Sequence, residues 1–197
     1  MTTVTATESR TARLLTDWLD PKTWIIAVSL ITGWTAERWP GLGWGALSAL
    51  FAAIIPVLII KRGVQAGRWA DRHLGVIRAR LIVMALILTS VALGIAIMLL
   101  GGAPTSLVAL TVAMFATLAV LTAITPRWKI SVHAAVSAGA TTMLAGQLPL
   151  AAILILSLVV AAVAWSRVEL RDHTPAQAVA GGIIGALIAG LVFTSLS

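Results

Sequence analysis

Long apolar runs separated by short polar stretches make up most of the chain. Seven runs follow one another, at residues 23–39, 43–60, 81–100, 104–125, 131–146, 148–165 and 174–196. The hydrocarbon core of a bilayer is roughly 30 Å thick and takes about 17 to 25 residues of helix, and these runs come close to that length. The pattern predicts an all-α fold, a polytopic transmembrane bundle of six to seven helices.

Breaker residues and small side chains refine this prediction. Gly and Pro fall in the connections 40–43, 101–104 and 146–149, where they are typical of turns. The fifth run is rich in Ala, Gly, Ser and Thr, which lets helices approach closely, so we expect it inside the bundle. Residues 1–22 form a polar tail with an interfacial turn or short helix near residues 14–18. Residues 23–197 form a single transmembrane domain.

Composition agrees with a membrane protein. The chain is 59% hydrophobic and 11% charged, whereas soluble domains average about 45–50% and 25%. Without cysteine, it has neither disulfides nor thiolate metal ligands. The net charge of +7 lies in short loops between apolar runs, which indicates membrane lipids with anionic headgroups as partners and no nucleic acid.

The distribution of charge predicts an orientation. With seven spans, the connections 61–80, 126–133 and 166–173 lie on the side of the N-terminus. Of the 14 Lys and Arg, only Arg38 falls on the opposite side. By the positive-inside rule, the N-terminus and the three polar connections are cytoplasmic, in a multi-pass protein of the cell inner (plasma) membrane.

The three polar connections carry residues suited to phosphate chemistry. They hold all three histidines and most of the basic residues. One guanidinium group can bind two phosphate oxygens at the same time, and lysine contributes a single positive charge. One imidazole can attack phosphorus while a second protonates the leaving oxygen. This scheme needs no metal or other cofactor.

These residues resemble the motifs of the type 2 phosphatidic acid phosphatase superfamily. The charged loop 166–173 has the form SRxxxxxH and precedes Ala180-Gly181-Gly182, like the last motif of that family. Residues 131–134, SVHA, are similar to its PSGH motif. Lys61 and Arg68 match the spacing of its first motif, with Trp69 in place of proline, and the run 71–80 offers a second register.

The resemblance implies roles for individual residues. His173 would be the nucleophile and His133 the general acid, with Arg167 also at the catalytic centre. The residues implied to bind phosphate are Lys61, Arg68, Arg78, Arg80 and Ser131. Gln177 stands where the family has the Asp that orients the nucleophile, so Asp71, Asp172 and Gln177 are the candidates for orienting it.

The function predicted in this way is hydrolysis of a lipid phosphomonoester or diphosphate, of polyprenyl or glycerolipid type, through a phosphohistidine. Two alternatives stay open. One is a lipid phosphotransferase or prenyltransferase, which usually needs Asp-rich helices that this chain lacks. The other is a non-catalytic or transport-type protein that binds lipid phosphate. Gly- and Ala-rich helix faces also permit a homodimer.

Overall fold

The computed structural model describes residues 9–68 and 77–197, which are helical with short connections. A short helix, α1 (Arg10–Trp18), is followed by α2 (Pro21–Ala49), a π-helical turn (Leu50–Ile54) and α3 (Ile55–Gln65). The remaining helices are α4 (Ile77–Gly101), α5 (Thr105–Ile124), α6 (Val132–Leu144), α7 (Leu150–Glu169) and α8 (Pro175–Leu196). The predicted all-α class is confirmed for the described residues.

The first two apolar runs, residues 23–39 and 43–60, form a helical hairpin. Helix geometry breaks at Glu37 and Arg38, where Arg38 takes φ 55°. Ser29 and Ser48 lie on either side of this break, with their hydroxyl oxygens 3.3 Å apart. A continuous helix would separate them by about 28 Å, so the chain must reverse direction between them. The turn predicted at residues 40–43 is therefore wrong, because the reversal comes earlier.

Glycine allows the two arms of this hairpin to touch. A Cβ atom at Gly33 would lie 2.3 Å from the carbonyl oxygen of Gly41, and one at Gly45 would lie 2.5 Å from that of Ser29. Any larger residue would push the arms apart. At the tip, the Arg38 guanidinium lies 5.0 Å from the ring centre of Trp34, a cation–π contact.

Five helical stretches in the described part of the chain are long and apolar enough to cross a membrane. They are Pro21–Gln65, which contains the hairpin, and Ile77–Gly101, Thr105–Ile124, Leu150–Glu169 and Pro175–Leu196. Many large apolar side chains on these helices are exposed, such as Leu100 and Leu158. A surface of this kind suits lipid as solvent.

Helix α6 is shorter, with 13 residues, and most of them are buried. This confirms its predicted place inside the bundle. It packs closely on α8, where a Cβ at Gly185 would lie 2.1 Å from the carbonyl oxygen of Ala135. Gly181 similarly leaves room for the carbonyl of Ser131. The start of α6 and the start of α8 are thus held together at one end of the bundle.

Helix α1 covers that same end. Ser9 caps its first turn through the backbone N–H of Ala12. Ala12 and Thr16 are buried on one face, and the hydroxyl of Thr16 lies 3.0 Å from that of Ser166 in α7. The short helix expected near residues 14–18 is therefore present, and it belongs to the packed structure.

Candidate functional site

A polar cavity of about 450 Å³ opens at the end of the bundle covered by α1. Each of the three polar connections contributes to its wall, and the N-terminal segment contributes as well. The ionisable side chains that line it are Asp17, Asp20, Lys22, Lys61, Arg80, Lys129, His133, Arg167, Asp172 and His173. Five of these are Lys or Arg and three are Asp, so the cavity carries a positive surplus.

His173 is held in place by the main chain. Its backbone N–H donates to the carbonyl of Arg167 at 3.1 Å, which closes the end of α7. Its ring Nδ1 lies 3.0 Å from the carbonyl oxygen of Lys129. A carbonyl oxygen only accepts hydrogen bonds, so Nδ1 carries the proton. In the neutral ring, the lone pair is then on Nε2.

The surroundings of His173 keep its imidazole neutral. Its pKa is lowered from 6.5 to about 4. Burial is the main cause, the positive charges of Arg167, Arg80 and Lys129 act in the same direction, and the hydrogen bond to the Lys129 carbonyl opposes them. The residue is only 8% exposed. At neutral pH the ring is therefore neutral, which is the form in which an imidazole acts as a nucleophile.

Arg167 lies in the last turn of α7 and is 3% exposed. One terminal nitrogen lies 2.8 Å from Asp172, and the other lies 3.4 Å from the hydroxyl of Thr16. Its buried Nε has no hydrogen-bond partner among the described residues. A buried donor without a partner costs about 1–3 kcal/mol. Arg167 lines the cavity, so its positive charge lies beside any anion bound there.

Arg80 approaches the cavity from the start of α4. It is buried, and it donates to the carbonyl of Ile130 at 2.6 Å. Its charge is close enough to lower the pKa of His173. The carbonyls of Lys129 and Ile130, adjacent in the chain, therefore hold one imidazole and one guanidinium at the same cavity.

The second histidine comes from the first turn of α6. His133 is partly buried and lines the same cavity as His173. Lys61, near the end of α3, is exposed and also lines it. The structure thus brings together six of the residues singled out in the sequence: Lys61, Arg80, His133, Arg167, Asp172 and His173.

Other predicted site residues lie elsewhere. Arg68 and Arg78 are exposed, and neither lines the cavity. Ser131 is fully buried and caps α6 through the N–H of Ala134, at 3.4 Å. Asp71 lies outside the described residues. Of the residues predicted to bind phosphate, Lys61 and Arg80 thus line the cavity, whereas Arg68, Arg78 and Ser131 do not.

The candidates for orienting His173 have different partners. The side chain of Gln177 accepts from the N–H of Thr174 at 3.1 Å, as half of a reciprocal cap at the start of α8. Asp172 forms an ion pair with Arg167. Sequence reasoning missed the actual partner, since a main-chain carbonyl leaves no trace in residue type. The segment 166–173 was also expected to be a loop, but α7 continues to Glu169.

The contribution of the N-terminal segment was missed as well. Thr16 and Asp17 of α1, with the neighbouring Asp20 and Lys22, line the cavity. Asp20 and Lys22 form an ion pair with each other. The sequence contained two signals for a packed helix. One was a capping residue, Ser9, and the other was a pair of small residues four positions apart, Ala12 and Thr16.

A second, apolar cavity of about 110 Å³ lies next to the first, inside the bundle. Ile87, Leu118 and Val132 line both cavities. The apolar one reaches Ala140 and Met143 in α6. A cationic cavity and an apolar cavity therefore lie side by side and share part of their walls.

Within residues 9–68 and 77–197, no group of three or more His, Asp or Glu side chains is placed to hold a metal ion. The arrangement places two imidazoles and a cationic surplus around a space suited to an anion. No family model, curated protein or solved structure matches the chain.

Proposed function

We propose that this protein is an integral-membrane lipid phosphatase that transfers the phosphoryl group of its substrate to His173 and then to water. The observation that carries the proposal is the arrangement of His173. Its Nδ1 is bound to a main-chain carbonyl, and the ring lies in a cavity shared with His133, Arg167 and Arg80. The proposal continues the resemblance to the type 2 phosphatidic acid phosphatases.

Arg167, Arg80 and Lys61 are the proposed ligands of the phosphate oxygens. The two arginines are buried, where charge-assisted hydrogen bonds to phosphate are strong. Both of them line the cavity. Held in this way, the phosphoryl group has its developing negative charge stabilised as the transition state forms.

The reaction proceeds in two displacements. Nε2 of His173 attacks phosphorus, the Nε2–P bond forms, and the bond from phosphorus to the leaving oxygen breaks. His133 gives its proton to that oxygen. His133 then takes a proton from water, the resulting hydroxide attacks phosphorus, and the Nε2–P bond breaks to release inorganic phosphate.

The Lys129 carbonyl takes the place of the carboxylate that orients the nucleophile in the family. It fixes the tautomer and direction of the His173 ring, since it accepts the Nδ1 proton at 3.0 Å. As a dipole without net charge, it offsets the developing imidazolium less than a carboxylate does. We therefore expect slower turnover than in a phosphatase with a carboxylate at this position, although the carbonyl still orients the His173 ring.

We further propose that both arms of the hairpin and α4, α5, α7 and α8 span the inner (plasma) membrane, with buried α6 among them. The cavity and the N-terminus then face the cytoplasm, because basic residues favour that side. Arg38 at the hairpin tip lies on the opposite side. Membrane lipids are the proposed surroundings, and a homodimer is compatible with the exposed apolar faces.

The test is release of inorganic phosphate from a panel of lipid phosphates by purified protein in detergent. His173→Gln and His133→Gln are expected to lower kcat by at least 1,000-fold and about 100-fold, respectively. Arg127→Gln is the control, since Arg127 is exposed and does not line the cavity. Undiminished turnover in both histidine variants would exclude the mechanism.

A second candidate is a protein that binds or moves lipid phosphate without hydrolysing it. The neutral partner of His173 favours it, because a carbonyl supports an imidazolium less well than a carboxylate. Binding of a lipid phosphate that depends on Arg167 and Arg80, in folded protein that releases no phosphate, would identify this activity.

A further inference from the structure

We infer that the substrate is a phosphate ester of a single long apolar alcohol, whose chain attaches directly to the phosphate and enters the bundle along α6. This inference rests on the proposed function, since it takes the polar cavity as the phosphate site. It is carried by the contact between the two cavities and by the side chains at their boundary.

The two cavities share apolar walls. Ile87 of α4, Leu118 of α5 and Val132 of α6 line both, and Val132 is the immediate neighbour of His133. A chain leaving a phosphate bound beside His133 therefore meets apolar side chains at once. The residues that line both cavities are thus all apolar.

The side chains that line the apolar cavity offer no free hydrogen-bond donor for an ester carbonyl. Among its lining residues, Thr117 has the sole polar side chain, and its hydroxyl already donates to the Ala113 carbonyl at 2.8 Å. A glycerol ester placed beyond the boundary would bury carbonyl groups without donors, at a cost of about 1–3 kcal/mol each. A plain alkyl or prenyl chain has no such groups.

The apolar cavity is limited in length and in volume. Along α6, its lining runs from Val132 through Ala140 to Met143, a rise of about 16 Å at 1.5 Å per residue. Its volume of about 110 Å³ is below the 150 Å³ of an engineered cavity that holds one benzene. A space this small can enclose only the first few carbons of one chain, which sets a limit on how much of the chain is buried there.

The test is binding of saturated alkyl monophosphates, from ethyl to hexadecyl, to protein in nanodiscs, corrected for partition into empty nanodiscs. His173→Gln is used as the background so that binding is measured without turnover. Affinity is expected to rise about fourfold per added carbon and then level off. Ala140→Leu fills the cavity and should move that plateau to shorter chains, while Met143→Ala should move it to longer ones.

Ala123→Leu is the control, because Ala123 is exposed on α5 and lines neither cavity; its plateau should stay in place. A lysophosphatidate with the same number of apolar carbons should bind at least tenfold more weakly than the alkyl phosphate. If one cavity variant fails to fold, the other still tests the shift.

An affinity that is independent of chain length, or a plateau that neither cavity variant moves, would overturn the inference. So would a lysophosphatidate that binds as tightly as the alkyl ester. These outcomes are separate from failure of the proposed function, because binding is measured without hydrolysis. Chain-length-dependent binding in a protein that never releases phosphate would contradict the phosphatase alone.

Discussion

The ring Nδ1 of His173 lies 3.0 Å from the main-chain carbonyl oxygen of Lys129, 44 positions earlier in the chain. This bond joins the end of α7 to the segment before α6. Because the acceptor is main chain, substituting the Lys129 side chain does not remove it. The orientation of the proposed nucleophile therefore depends on the fold of two connections and not on an acidic residue.

The protonation of His173 should differ from that of an ordinary histidine. We expect its ring to titrate at about 4 in phosphate-free buffer, because burial and neighbouring cations disfavour its charged form. The NMR signal of its ring Cε1–H, assigned by its loss in His173→Gln, measures this directly. Titration at 6.5 or above would show that the ring is not in the environment described.

The same shift has a consequence for stability. Between pH 6.5 and about 4, the unfolded chain protonates His173 while the folded protein does not. The unfolded state then binds more protons, so this contribution to stability is lost as the pH falls through that range. His173→Gln should flatten this part of the thermal-stability profile in detergent, and a profile identical to wild type would contradict the assignment.

The guanidinium of Arg167 should not be replaceable by an ammonium group. Arg167→Lys loses the planar fork that contacts Asp172 and Thr16 and that is proposed to bind phosphate. We expect kcat/KM to fall about 10- to 100-fold, as for loss of a hydrogen bond to a charged group. Arg127→Lys, an exposed substitution of the same kind, should stay within about twofold of wild type.

Gln177 should contribute to the stability of α8 and not to catalysis. Its side chain completes the cap of α8 with Thr174, so Gln177→Ala is expected to lower the free energy of unfolding by about 0.5–1 kcal/mol. We expect kcat to remain within about twofold. A loss of kcat by about 100-fold or more, with little change in stability, would instead make Gln177 the residue that orients the nucleophile.

The close contact between α6 and α8 predicts a contrast between two glycines. A Cβ at Gly185 would lie 2.1 Å from the Ala135 carbonyl oxygen, whereas one at Gly182 has its nearest neighbour at 3.9 Å. Gly185→Ala should therefore cost about 1–3 kcal/mol, as overpacking does, and Gly182→Ala almost nothing. Thermal unfolding in one detergent compares them, and equal midpoints would contradict the packing.

Much of the fold could be predicted from the long apolar runs in the sequence, because a helix must be long and apolar to cross a bilayer and the chain has few charges. The hairpin turn was misplaced because its signal lies in backbone geometry at Glu37 and Arg38, whereas the Pro and Gly that mark a turn follow it. Pro40 is compatible with the first turn of the second arm, so it marked the start of a helix.

The candidate site was predicted where side chains carry the chemistry. His133, His173 and Arg167 line one cavity, and they were selected by their place in the polar connections together with the resemblance to the family's motifs. The role of Lys129 could not be predicted, because its backbone oxygen is common to all residues. Thr16 was missed for a different reason: its contact with Ser166 spans 150 positions, and only tertiary packing creates it.

The most direct test is to trap the covalent intermediate. Protein incubated briefly with a lipid carrying a labelled phosphate, then quenched with denaturant at alkaline pH, should yield an acid-labile label on the peptide that contains His173. His133→Gln should retain this label longer, and His173→Gln should show none. Phosphate release without any label on His173, or a label on a different residue, would contradict the account.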